Sequence, residues 1–319
     1  MQRALDIQYV LGNEHEASVV TSLGNLAAVS AQLGRLEQAL EYDRRAVEVA
    51  LEAYPGGHST IGRAWYSLSD SLRQTGRYDE ALSALDEALA IQRQAGMEAE
   101  IELIDLARAR TLFAFGRYDQ AASVAAAVRP ALAQRWGEGS REALLPLEVE
   151  LAARGTASPD IALEKLVAEA SERLSALDED QRGASIADLL RWRLAEIELN
   201  RGRPDRVGYW LDFQRGGAAE PTQSTLVLRW LAVQLRRQAQ LGVADADLEA
   251  RLTRAMERPG SNADARAYAW CAMAESARAG GDQAALEIAM QRLDEMLRDA
   301  PLSEESRQMV FTLRSADRA

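Results

Sequence analysis

The sequence predicts an all-α fold in which pairs of antiparallel helices repeat along the chain. At 319 residues, the chain exceeds the size at which one hydrophobic core usually keeps growing, so it forms two domains or an array whose core lengthens with it. Only 6% of the residues are aromatic and eight are proline, which is typical of a chain that is helical almost throughout. One sequence pattern also recurs around regularly spaced glycines, which indicates the array.

The recurring pattern reads as a helix, a Gly-Arg turn and a second helix. AQLGRLEQALEYDRRAVEVA around Gly34 recurs as RQTGRYDEALSALDEALAIQ around Gly76 and as FAFGRYDQAASVAAAVRPAL around Gly116, at spacings of 42 and 40 residues. Glycine accepts the left-handed conformation that closes a helix, and the acidic residue three positions later favours the start of the next one. We therefore expect each copy to form a helix hairpin.

Small and large apolar residues recur in the same register. Ala39, Ala81 and Ala121 follow their glycines by five positions, which fits a place where two helices cross too closely for a larger side chain. Leu23 and Trp65 precede theirs by eleven positions and are expected to fill the inner side of the first helix of each pair.

Past residue 135 the alanine pattern fades, but the glycines continue, so the sequence predicts seven helix pairs in total. Pro130 and Pro146 fall inside predicted helices, where the missing N–H and the ring are expected to bend the helix or end it early. A last helix from about Ser303 to Ser315 is expected to cap the array. The later glycines are Gly155, Gly202, Gly242 and Gly281.

The first residues align with the second helix of a repeat, since Ala4-Leu5 match Ala46-Val47 and Ala88-Leu89. The matching first helix is missing. Because the ends of a helical array need a polar cover, we expect a preceding domain of a longer polypeptide, or a second copy of the chain, to cover this half-repeat.

This arrangement resembles the tetratricopeptide repeat (TPR), and ALDIQYVLGNEHEASVVTSLGNLAAV resembles the roughly 42-residue variant of kinesin light chains and of many bacterial regulatory proteins. The resemblance is good over residues 4–135. It implies a right-handed α-solenoid of about seven pairs, with regular repeats over 1–135 and degenerate, continuous TPR-like pairs with a C-terminal cap over 136–319.

The resemblance also implies a binding groove, because in this family the first helices line the concave surface. Asn25 falls where kinesin light chains carry an asparagine that clamps a peptide backbone. Arginine, aromatic and amide side chains together suit an extended peptide with acidic side chains. The expected groove residues are Asn25, Arg63, Tyr66, Asp70, Arg73, Gln74, Arg110 and Phe113, with Leu103 and Leu106 beside them. Secondary candidates are Trp192, which stands one residue out of the repeat phase, Arg229 and Arg236.

Charge and composition exclude several classes of partner. The net charge of −12 argues against nucleic acid and anionic membranes, because both require an excess of cationic side chains. No apolar stretch is long enough to span a membrane. The lone Cys271 has small or apolar neighbours, as around a buried thiol, and cannot form an intrachain disulfide. We expect a cytoplasmic protein.

No motif supports catalysis, a metal ion or a cofactor. His15 and His58, the only histidines, occupy equivalent turns, where capping a helix is the favoured role. Asp245 and Asp247 precede a predicted helix, and acidic residues favour helix N-termini. Glu148 and Glu150 are two apart on a helix, so they point to different sides, and a solvated face is expected to account for them.

The sequence therefore predicts a protein-binding or peptide-binding scaffold, the C-terminal interaction part of a larger bacterial regulatory protein such as a kinase or transcription regulator. Two alternatives remain open. One is a peptide-sensing receptor that changes superhelical pitch, with the proline-bearing segment as its hinge. The other is an enzyme whose acidic residues converge only in three dimensions.

Overall fold

A computed structural model describes residues 16–157, 161–177, 185–211, 224–258 and 261–317. These ranges contain fifteen helices and no strand, so the predicted all-α solenoid is confirmed. The predicted half-repeat before residue 16, including His15, lies outside the described residues. By internal packing the chain divides into two compact units, residues 1–115 (unit 1) and 116–319 (unit 2).

Unit 1 contains five described helices. Two antiparallel pairs, α1 with α2 and α3 with α4, pack one after the other, and α5 packs against α4. The first helices also pack successively, α1 against α3 and α3 against α5, so they form one layer of the unit. The helices are α1 (Glu16–Gln32), α2 (Leu36–Ala53), α3 (Ser59–Gln74), α4 (Tyr78–Gln94) and α5 (Glu98–Ala114).

Unit 2 contains ten described helices. The successive helices α7, α9, α11 and α13 pack against one another as a first-helix layer, and α6 packs extensively against α7. The last helix, α15, packs against α13, as expected for a cap. The helices are α6 (Tyr118–Trp136), α7 (Arg141–Ala157), α8 (Ile161–Ala176), α9 (Ser185–Asn200), α10 (Pro204–Leu211), α11 (Ser224–Gln240), α12 (Ala246–Met256), α13 (Ala263–Gly280), α14 (Gln283–Asp299) and α15 (Glu304–Asp317).

The glycine turns form as the sequence predicts. Gly76 has a φ of 77°, in the left-handed region that a β-carbon disfavours. Its N–H donates to the carbonyl of Arg73, and the N–H of Arg77 donates to the carbonyl of Leu72, so two carbonyls at the end of α3 are satisfied within the turn. Asp79 then lies in the first turn of α4, where a negative charge favours the helix N-terminus.

One expectation about a later turn is wrong, because Gly155 lies within α7 and is not among the glycines with positive φ, so it does not close that helix. Pro130 and Pro146 lie inside α6 and α7, which continue past them, so neither proline ends its helix early. Each proline removes one helical hydrogen bond, and the extensive packing of α6 on α7 offsets that loss.

The small residues after the glycines are buried in the helix crossings. Ala39, Ala81 and Ala121 are at most 1% exposed. Ala81 joins the core cluster of α1 to α4, together with Leu40, Val47 and Leu68. A side chain at position 81 therefore has no space to grow.

We predict that Ala81→Leu destabilises the protein by about 1 to 3 kcal/mol, because the added carbons overpack the crossing of α3 and α4. The matched control is Ala90→Leu, the same change at an exposed position of the same helix. Chemical denaturation measures both. Equal effects of the two substitutions would show that the crossing is not tightly packed.

Candidate functional site

The candidate site lies on α3, whose two sides differ in burial. Ile61, Ala64, Leu68 and Leu72 recur at helical spacing and are buried in the core shared with α2 and α4. Five other residues of α3 are exposed or half-buried and form a second stripe along the helix. That stripe consists of Arg63, Tyr66, Asp70, Arg73 and Gln74. We call the side of α1, α3 and α5 that carries it the first-helix face of unit 1.

Asp70 organises the polar part of this face. Arg73 donates from Nη2 to Oδ1 of Asp70 at 2.5 Å, and Gln74 donates from Nε2 to Oδ2 at 2.7 Å. Arg110, on the neighbouring helix α5, also interacts electrostatically with the Asp70 carboxylate. The Asp70 side chain is 47% exposed and that of Arg73 is 20% exposed, so the cluster is in contact with solvent.

The two guanidinium groups keep Asp70 ionised. Burial raises its pKa, but the charges of Arg73 and Arg110 and the hydrogen bonds from Arg73 and Gln74 outweigh burial and lower the pKa from 3.8 to about 2. Asp70 is therefore a fixed negative charge at neutral pH. Its role is to hold two positive groups from different helices close together.

The aromatic residues of the face have partly buried rings. Tyr66 packs against the core cluster formed by Leu85, Leu89 and Ile104, and remains half-buried. Phe113 on α5 is also half-buried. Rings that are fixed on one side and open on the other offer apolar contact area at low entropic cost.

Asn25 and Arg63 lie at more exposed positions. Asn25 is exposed on α1, the helix beside α3. Arg63 is exposed, and its Nη2 donates to Oγ1 of Thr60 at 3.4 Å within the same helix. Of the two leucines expected beside the groove, Leu103 is half-buried, whereas Leu106 is 5% exposed and belongs to the interior.

The secondary candidates belong to unit 2, where the structure places them in a charged interior. Trp192 is 2% exposed, with the guanidinium groups of Arg193 and Arg229 lying 4.6 and 4.3 Å from its ring centroid. Arg236 donates to Glu275 and to the hydroxyl of Tyr268, both at 3.0 Å. Trp192 and Arg236 therefore offer a ligand almost no surface in this structure.

Sequence reasoning missed the centre of this interior. Arg193 donates to Glu148, Glu196 and Glu305 on three different helices, at 3.1, 2.6 and 2.7 Å. The expectation that Glu148 and Glu150 lie on a solvated face is wrong, because both are buried. They do point to different partners, since Glu150 accepts from Arg154. No local pattern indicates a cluster whose members are up to 157 positions apart, from Glu148 to Glu305.

The residues considered for metal or catalytic roles have structural ones. Nδ1 of His58 accepts from the N–H of Thr60 at 3.2 Å, so His58 caps α3. Asp245 accepts from the N–H of Leu248 at 3.0 Å and caps α12. Within the described ranges, no group of three or more histidine, cysteine or acidic residues is arranged to hold a metal ion.

Paired helices closed by left-handed glycines, with small residues at their crossings, define a helix-pair solenoid. A family model described as tetratricopeptide repeat matches residues 18–94, which span α1 to α4. Residues 18–94 are therefore tetratricopeptide repeats. Comparison with curated proteins gives no match. None of the described helices is both long enough and apolar enough to cross a membrane.

We predict that Arg110→Gln raises the pKa of Asp70 from about 2 towards its ordinary value of 3.8, because the effect of burial is then opposed by one guanidinium group instead of two. Carbon-detected NMR of the carboxyl group during an acid titration measures the shift. Arg108→Gln is the matched control, since Arg108 lies on the same helix and is paired with Asp86. An unchanged midpoint in Arg110→Gln would show that α5 does not act on Asp70.

Proposed function

We propose that the first-helix face of unit 1 binds an extended, acidic segment of a partner protein. Tetratricopeptide repeats generally mediate protein–protein interactions, and the fold is typically a non-catalytic scaffold. The observation that carries the proposal is the cluster of Arg73 and Arg110 around the ionised Asp70. Two guanidinium groups act on one carboxylate there, and a carboxylate of the ligand would add a second opposite charge beside them.

The charge contrast with the remainder of the molecule supports this choice of ligand. The chain carries a net charge of −12, whereas Arg63, Arg73 and Arg110 outnumber Asp70 on the candidate face. A local cationic area on an acidic protein directs an acidic segment to one place and repels it elsewhere. The Arg73 side chain is 20% exposed, so a ligand can approach its guanidinium group from solvent.

The remaining residues of the face suit an extended backbone. Amide side chains such as Asn25 and Gln74 can donate to and accept from main-chain groups, which allows them to bind a peptide irrespective of its sequence. Tyr66 and Phe113 provide apolar contacts for alternate side chains of the ligand. Recognition would then combine backbone binding with a preference for acidic residues.

We further propose that this module is the interaction part of a larger bacterial regulatory protein that acts in the cytoplasm. The support for this context is the resemblance to the 42-residue repeat variant found in such proteins, from which the kinesin-light-chain-like assignment also comes.

The alternatives gain little from the structure. The peptide-sensor hypothesis placed its hinge in the proline-bearing segment, but α6 and α7 continue through Pro130 and Pro146. The enzyme hypothesis required carboxylates that converge in space. Glu148, Glu196 and Glu305 do converge, but all three accept hydrogen bonds from Arg193 and are paired with it. We assign no reaction to them.

The test uses an array of fluorescent peptides in which each acidic sequence is paired with its Asn/Gln counterpart. We expect the full chain to select acidic members. We expect Arg73→Gln with Arg110→Gln to weaken their binding about tenfold to a hundredfold, because a charge-assisted hydrogen bond contributes about 1.5 to 3 kcal/mol. Fluorescence anisotropy measures the affinities, and binding should weaken as salt is added.

The control double variant is Arg44→Gln with Arg45→Gln, which makes the same change in net charge on α2. Both arginines have exposed side chains in ion pairs, so the fold should tolerate the change. Equal losses in the two double variants would mean that binding depends only on overall charge. Equal binding of acidic and neutral peptides would show that the face does not select acidic segments.

A further inference from the structure

The last helix of unit 2, α15, contacts distant parts of the same unit through its first turns. Oε1 of Glu305 accepts from Nη1 of Arg193 on α9 at 2.7 Å, across 112 residues of chain. Gln308 accepts from the hydroxyl of Tyr118, at the start of α6, at 3.4 Å. The side chain of Glu304 packs against Gly116 so closely that a β-carbon there would lie 2.6 Å from Cγ of Glu304. This side of α15 therefore reaches the beginning of the unit.

The other side of α15 belongs to the core at the end of the unit. Leu302, Val310 and Leu313 are buried in a cluster with residues of α13 and α14. Asp264, at the start of α13, accepts from both the N–H and the hydroxyl of Ser303 at 2.9 Å. Because one helix joins the last helix pair to α6 and α9, α15 closes unit 2 on itself.

The closing contact has an unusual charge balance. Arg193 is 5% exposed at its side chain and pairs with Glu148, Glu196 and Glu305. Three carboxylates thus share one fully paired guanidinium group, with Arg229 as the next cation. A buried group of this kind is most strained when every carboxylate is ionised, since the negative charges then exceed the positive ones.

We propose that α15 is a clasp that holds unit 2 closed. Its attachment through Glu305 weakens as the solution becomes more alkaline, and loosening it uncovers the first-helix layer of unit 2 around Arg193. The first-helix layer of unit 2 would then become accessible only when the clasp opens. The first-helix face of unit 1, whose cluster around Asp70 stays ionised, would not depend on the clasp.

The electrostatics of Glu305 support the pH dependence. Burial raises its pKa from 4.5 to about 7, with a further rise from Glu196, against the opposing effects of Arg193 and Arg229. Burial and the charges of Glu305 and Glu304 also raise the pKa of the Tyr118 hydroxyl, so Tyr118 keeps its proton. The charged and titratable groups around Glu305 on the other helices are Tyr118 of α6, Glu148 of α7, Arg193 and Glu196 of α9, and Arg229 of α11.

The direction of the effect follows from where the proton binds more tightly. The closed state holds the Glu305 proton with a pKa of about 7, whereas a released, solvated Glu305 has the ordinary value of 4.5. The stabilisation of the closed state by this proton is complete below pH 4.5 and is lost as the pH rises through about 7. Alkaline solution therefore favours the open clasp.

Hydrogen exchange of the full chain, followed by mass spectrometry, tests the clasp. After correction for the intrinsic exchange rate, the protection of α15 relative to α13 should fall about tenfold between about pH 6 and pH 8, because closure is linked to one proton. This measurement needs no variant. Protection of α15 that does not change with pH would overturn the proposal.

Two isosteric substitutions at adjacent positions then assign the effect. Glu305→Gln removes the titrating group and should leave α15 equally protected at both pH values. Glu304→Gln makes the same change one residue away, outside the hydrogen bonds of Arg193, and should keep the wild-type profile. The same profile in both variants would rule out Glu305 as the attachment. Peptide binding to unit 1 is a separate readout, so the failure of one proposal leaves the other testable.

Discussion

The close approach of the two helices within each pair is the constraint on which the structure depends. At Ala81, packing leaves no room for a larger side chain, so α4 lies directly against α3. Such an approach requires a turn of only a few residues, and Gly76 provides it because its φ of 77° is one that other residues rarely adopt. Turn and crossing together determine which side of each first helix is buried.

That constraint leaves the opposite side of every first helix without a partner from its own pair, and the two units use this side differently. In unit 1 it stays in contact with solvent, and Asp70 and Arg73 form a partly exposed ion pair there. In unit 2 the corresponding helices bury charged residues such as Arg193, and α15 contributes Glu305 to them. One repeat design thus gives an accessible face in one unit and a closed interior in the other.

The pKa values of Asp70 and Glu305 shift in opposite directions, and the balance of charges around each carboxyl group explains both shifts. Around Asp70, two guanidinium groups act on one carboxylate, so the pKa of Asp70 falls to about 2 in spite of partial burial. Around Arg193, several carboxylates act on one fully buried guanidinium group, so burial prevails and the pKa of Glu305 rises to about 7. The ratio of opposite charges, together with access to water, decides whether a cluster is a fixed charge or a pH-dependent contact.

The helix pairs could be predicted from the sequence, because glycine turns such as Gly76 and small crossing residues such as Ala81 reflect backbone preference and periodicity, which act over a few residues. The choice of the α3 residues around Asp70 came from the resemblance to the tetratricopeptide repeat, in which first helices line the groove. Gly155 could not be judged in this way, since packing, and not local preference, continues α7 through it. The burial of Trp192 and the contact of Glu305 with α9 were decided by tertiary structure alone, because burial and ion pairing depend on which distant residues the fold brings together.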